Sequence, residues 1–278
     1  MRRETVNVGG LRVSYLTEGA GWPLLLLHGV WGSAIEWQWV LPEFARHYLV
    51  LAPDLPGSGA SETPPESSPD YYARFIGQFL DALGLNQTIL VGNSLGGLAA
   101  IQFAATTAHR VAATVLVDSA GLGPEIAPTN RIIALPGVGD SMMLWAMMPW
   151  GAAQRAWLRA TYLFAHLSRV PPEWLAEQNR LALQPRFLSH WMAVYRSVVG
   201  LQGQRIVVLD QLGSLNMPSL VVWGERDRLF PVAQAKSAAA RLPRGQLAVI
   251  PDCGHLPQVE RPDLFRETVG AFLGKAVT

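Results

Sequence analysis

The chain has 278 residues, half of them hydrophobic and 15% charged, and its 22 basic and 21 acidic side chains leave a formal net charge of +1. That length can bury a large core in one domain, or in one domain carrying an inserted subdomain. The near-neutral balance gives no electrostatic reason to expect nucleic acid or an anionic membrane as partner, and the lone Cys253 excludes an internal disulfide framework and argues against a thiolate metal centre.

The first residues, Met1-Arg2-Arg3-Glu4-Thr5-Val6, have no apolar run behind them and do not read as a signal peptide. Val6 to Val8 and Leu11 to Thr17 flank Gly9-Gly10, a hairpin signal. Pro23 to His28, Tyr48 to Ala52, Thr88 to Val91 and Val111 to Val117 are short, unbroken apolar strands. Helical patterns lie between them at Glu36–Arg46, Pro69–Leu83 and Leu95–Thr107. Continuous apolar strands alternating with helices predict an α/β protein whose parallel sheet is covered on both faces.

From Gly121 to Arg205 the strand signal stops. Met142, Met143, Met147 and Met148 cluster there, tryptophan recurs at 145, 150, 157, 174 and 191, and prolines at 136, 149, 171, 172 and 185 punctuate short helices. This predicts a helical insertion over 121–205, leaving 1–120 and 206–278 as the core domain. The most apolar stretch, Arg131 to Trp150, is broken by Pro136 and Pro149 and is no membrane span. A cytoplasmic protein is the expectation. Strands at Ser219–Trp223 and Gln246–Ile250 and helices at Pro231–Arg241 and Pro262–Gly274 then resume the alternation.

Gly92-Asn93-Ser94-Leu95-Gly96-Gly97 carries the strongest chemical signal. It is G-x-S-x-G between a strand and a helix. A serine at the tip of so tight a turn is strained and crowded by the residues two before and two after it, so both are glycine. Asp252-Cys253-Gly254-His255 follows the last strand, and its histidine has the address of a general base. Of the other five, His28 ends the third strand and shapes a neighbouring loop, while His47, His109, His166 and His190 lie in helical or helix-end surroundings. Asp227, in Gly224-Glu225-Arg226-Asp227-Arg228, is the candidate acid that orients His255; Asp118 and Asp252 are its rivals. His28-Gly29-Val30-Trp31-Gly32 offers the backbone N–H of Val30, with Trp31 the alternative, as one donor to an oxyanion. Leu95 offers the other. Asp54 in Asp54-Leu55-Pro56-Gly57-Ser58-Gly59 reads as turn-forming.

Taken in order, His28-Gly29, Asp54 to Gly59, Gly92 to Gly97, Trp223 to Pro231 and Gly254-His255 resemble the α/β-hydrolase superfamily over nearly the whole chain. The resemblance implies a mostly parallel eight-stranded sheet, a helical cap over the active site at 121–205, and no cofactor or metal. Dehalogenase and epoxide hydrolase relatives carry aspartate at the elbow, where this chain has Ser94. The elbow is also similar to that of carbon–carbon bond hydrolases of aromatic ring-fission products, and Arg180 sits where those enzymes carry a cap arginine for the substrate's acidic group. This chain has Leu256 where those enzymes usually have tryptophan, and a less glycine-rich oxyanion loop.

The expected function is therefore a serine carboxylesterase acting on small to medium apolar esters. A carbon–carbon hydrolase and a non-catalytic hydrolase-fold binding protein are the alternatives. Trp31, Arg180, Met143, Met147 and Leu256 are candidate substrate contacts, with an apolar small molecule as partner and a homodimer admitted.

Overall fold

The computed structural model describes residues 1–148 and 150–276, and of Pro185 the backbone alone. Pro149, read above as a helix-breaking position, lies outside the described residues. Strands β1 (Arg2–Val8) and β2 (Leu11–Glu18) form the expected hairpin. They continue into β3 (Trp22–Leu27), β4 (Tyr48–Pro53), β5 (Thr88–Asn93) and β6 (Val111–Val117). A two-residue hairpin, β7 (Val199–Gly200) and β8 (Gly203–Gln204), stands apart, and β9 (Ser219–Gly224) and β10 (Gly245–Ile250) complete the main sheet. Its order is β1-β2-β4-β3-β5-β6-β9-β10. The β1–β2 and β2–β4 pairs are antiparallel and the other five are parallel.

The unbroken apolar runs have a direct cause. Leu24 and Leu26 of β3 pack with Ile89 and Val91 of β5 into one core, whereas Leu25, Leu27 and Leu90 enter the core on the other face. Both faces of each central strand are buried, so alternation would place polar groups against helices. One face is covered by α2 (Pro69–Ala82) and α3 (Leu95–Thr106), which bring Tyr72, Phe75, Phe79 and Leu98. The other is covered by Trp37, Phe44 and α11 (Pro262–Ala276), with Phe265, Val269 and Phe272. Each of these side chains contributes about 1.5–3 kcal/mol by leaving water.

One predicted helix is replaced. In place of the helix expected over 36–46 there are a 3₁₀ turn (Ala34–Trp37) and then the short α1 (Leu41–Phe44). Pro42 lacks an N–H and is tolerated only in a first turn, so the apolar periodicity cannot continue through it as one helix.

Between β6 and β9 the chain forms α4 (Pro128–Ile133), α5 (Val138–Ala146), α6 (Gly151–Leu163), α7 (Pro172–Ala182) and α8 (Pro185–Val198). The β7–β8 hairpin is a strand pair that the sequence reading lacks. Helices α9 (Ala233–Arg241) and α10 (Pro257–Glu260) follow β9 and β10. Among the described residues, no helix is long and apolar enough to cross a membrane.

Parallel strands place the loops after β3, β5, β6, β9 and β10 along one edge of the sheet. Pairing of Leu27 with Gly92 sets the ends of β3 and β5 side by side. A Cβ on Gly92 would collide with the carbonyl of Gly96, and one on Gly96 with the carbonyl of Leu27. Gly96→Ala is therefore expected to destabilise the fold by about 2–3 kcal/mol, because backbone must move to admit the methyl group. Urea denaturation checks this, and an unchanged midpoint would show that the space exists.

Candidate active site

Ser94 sits between β5 and α3 with φ 54° and ψ −117°, a conformation that costs about 1–3 kcal/mol for a residue with a Cβ. The strain is held by neighbours. The Ser94 N–H donates to the Val117 carbonyl at 3.0 Å, and its own carbonyl accepts from Gly97, Leu98 and Ala120. The hydroxyl is thereby carried into a cavity lined also by Val30, Leu95, His255 and Leu256. The backbone N–H groups of Val30 and Leu95 make no hydrogen bond among the described residues.

His255 Nδ1 lies 2.8 Å from Asp227 Oδ2, and both side chains are at least 97% buried. The second carboxylate oxygen of Asp227 accepts the N–H groups of Leu229 at 2.7 Å and Phe230 at 3.2 Å. A carboxylate so held accepts only, so Nδ1 carries the proton and Nε2 keeps its lone pair free for a hydroxyl.

The rival acids have other partners. Asp118 takes the Gly224 N–H at 2.9 Å and faces Asp227; burial first, and then the Asp227 charge, push its carboxyl far above the usual range, which favours its neutral form. Asp252 is spent on His166, Arg169 and Arg226. Its carboxyl is drawn down to about 2, chiefly by the His166 and Arg169 hydrogen bonds. Asp118, Asp227 and His255 bring three ligand atoms within 4.8 Å of one another, the arrangement that could hold a metal ion, but the imidazole and Asp227 already bind each other.

His28 and Asp54 build the loops around the site. His28 Nε2 accepts the Leu55 N–H at 2.9 Å, and burial pulls its ring down to about 4, so it is neutral. Asp54 accepts from Ala34, Ala60 and Arg3.

The substrate-contact expectations divide. Trp31 and Leu256 line the Ser94 cavity, and Met143 lines an adjoining chamber. Met147 is 44% exposed and lines neither. Arg180 also lines neither: it is half exposed and paired with Glu177 one helical turn back, at 2.7 Å, so its charge is already used at the surface of α7. Sequence reasoning missed Glu36, Arg159 and Tyr162, which line the cavity. The spacing of Arg155 and Arg159 with Ala152, Ala156, Ala160 and Leu163 places both arginines on the buried face of α6, a signal available once that helix is delimited.

Glu36 is 2% exposed, and desolvation raises its carboxyl to about 7 against the opposing pull of Arg159 and the Trp174 indole. The folded state thus holds a proton that the unfolded chain releases near pH 4.5, and stability falls as pH rises from about 4.5 to 7. Glu36→Gln is expected to remove that fall, gaining up to about 3 kcal/mol at pH 8 relative to pH 5. Urea midpoints of both proteins at the two pH values check it, and parallel profiles would contradict it.

The alpha/beta hydrolase fold family model matches residues 23–262. The chain belongs to the α/β-hydrolase family. The hydrolase is 31% identical to 2-hydroxymuconate semialdehyde hydrolase of Pseudomonas sp. strain CF600, over 98% of this chain and 93% of that protein. Among solved structures it resembles a meta-cleavage product hydrolase of Pseudomonas fluorescens, with TM-score 0.83, 25% identity and 98% of both chains covered. It also resembles a thermophilic esterase of Thermogutta terrifontis, with TM-score 0.80, 25% identity and both chains covered completely.

Proposed function

We propose that this hydrolase cleaves carboxylic esters of apolar small to medium substrates through Ser94, His255 and Asp227, under a cap formed by residues 121–205. The observation that carries the reading is the buried 2.8 Å His255–Asp227 hydrogen bond beside a strained serine on the same cavity. Ser94 attacks the ester carbonyl while His255 Nε2 takes its proton. The tetrahedral oxyanion is held by the N–H groups of Val30 and Leu95, aided by the N-terminus of α3. His255 then protonates the leaving alcohol and activates the water that clears the acyl-enzyme.

A second reading, hydrolysis of a carbon–carbon bond beside a ketone, is favoured by the names of the relatives. Arg180 turned outward and Leu256 after the histidine support the ester reading instead. The test is turnover of p-nitrophenyl butyrate beside a 2-hydroxy-6-oxo-dienoate. Faster turnover of the dienoate would replace the ester reading with the second one.

A further inference from the structure

The Ser94 cavity has about 60 Å³ open to the centres of water molecules. It adjoins a cap chamber of about 360 Å³ by the same measure, and Trp31, Arg159 and Tyr162 line both. A substrate that reaches from the Ser94 cavity into the larger chamber passes these three side chains. The chamber wall is apolar, with Ile133, Met142, Met143 and Met192, but it also carries Arg155 and Arg159 and, among the described residues, no carboxylate.

These guanidiniums are out of place as structural groups. Arg155 is 9% exposed and Arg159 5%. Arg155 Nη1 and Arg159 Nε and Nη1 are buried with no hydrogen-bond partner. Both guanidiniums lie over the Trp31 ring, at 5.7 and 5.6 Å, and the ring itself packs on Tyr195 at 4.8 Å. A ring face offsets only part of the desolvation of two cations. Among the described residues Glu36 is the one carboxylate lining the neighbouring cavity; Arg159 pulls on its charge, but no hydrogen bond or ion pair within 4.0 Å joins the two. Buried donors without partners on a cavity wall call for an acceptor that arrives from outside.

We infer that Arg155 and Arg159 form an acid-recognition site at the junction. The substrate is then an apolar chain or ring that bears a carboxylate remote from its scissile carbonyl, such as the half-ester of a dicarboxylic acid. For the scissile bond this rests on the Ser94 reading; for the carboxylate it does not. The acid docks on the two guanidiniums beside Trp31. The carbonyl reaches Ser94, and apolar atoms between or beyond fill the methionine-lined chamber.

The test is binding rather than turnover. Hexanoate and 1-hexanol are titrated calorimetrically into the wild-type protein and into the Arg155→Met/Arg159→Met double variant. The acid is expected to bind about 10- to 100-fold more tightly than the alcohol to the wild type, as charge-assisted pairing gives. The double variant is expected to bring the ratio below about 3-fold by losing acid affinity alone. Equal binding of the two ligands by the wild type overturns the inference. So does a preference that survives in the double variant, which would place the acid at the oxyanion donors. Should the double variant not fold, wild-type protein capped on Ser94 with a diethylphosphoryl group replaces it. Hexanoate must still outbind hexanol there, and loss of the preference overturns the site. Failure of Ser94 to accept the phosphoryl group counts against the ester mechanism and leaves the wild-type titration to judge the arginines.

Discussion

Ser94→Ala is expected to lower kcat for p-nitrophenyl butyrate by about 10⁴- to 10⁶-fold, since the serine, the base and the acid act as one unit. The substitution removes one oxygen and keeps the Cβ that the strained turn already accommodates. Binding of a neutral ligand such as 1-hexanol and the urea midpoint should therefore stay close to wild type. The residual rate is the background that oxyanion donors and binding supply without a nucleophile. Single-turnover kinetics with burst detection check this. Wild type should show an acyl-enzyme burst and the variant none. Comparable turnover by both proteins would place the chemistry elsewhere.

Asp227→Asn should be almost as damaging, at about 10³- to 10⁴-fold in kcat, while leaving the fold intact. An amide at this position can donate to Nδ1, which moves the ring proton to Nε2 and leaves no lone pair for Ser94. The neighbouring carboxyl sharpens the measurement. Burial first, and then the Asp227 charge, favour the neutral form of Asp118, so Asp118→Asn is close to isoelectronic and should change kcat by less than about 10-fold. In Asp227→Ala the Asp227 charge that raises Asp118 is gone, so Asp118 is expected to ionise more readily near the imidazole, within the 4.8 Å grouping. Partial activity that climbs with pH in Asp227→Ala, and vanishes in Asp118→Asn/Asp227→Ala, is the expected signature. Full activity in Asp227→Asn would remove Asp227 from the mechanism.

Much of this was readable along the chain because each signal was local. Gly92 and Gly96 flank Ser94 since two backbone carbonyls approach where their side chains would be, and that crowding is written directly into residue type. The central strands were legible from runs such as Leu24 to Leu27, whose two faces enter two different cores. The cavity beyond the serine was not legible. Arg180 carries the right charge on α7, yet Glu177 one turn earlier holds it at the surface. Arg159 carries the same charge, and only the packing of α6 over Trp31 turns it inward. Glu36 falls in a stretch where apolar spacing suggested one long helix, and the break before Pro42 decides which way its carboxyl faces. Such residues answer to contacts with distant segments, which no window of neighbouring positions contains.

Glu260 has a mechanical consequence. Its two oxygens accept the N–H groups of Gly254, Ala165 and His166, and the His255 N–H donates to the Leu163 carbonyl. The loop that bears the imidazole is thus riveted to the trailing end of α6. A displacement of α6 that lifts this end pulls on the loop bearing the imidazole and so on its contact with Asp227, whereas a pivot through this joint leaves that contact in place.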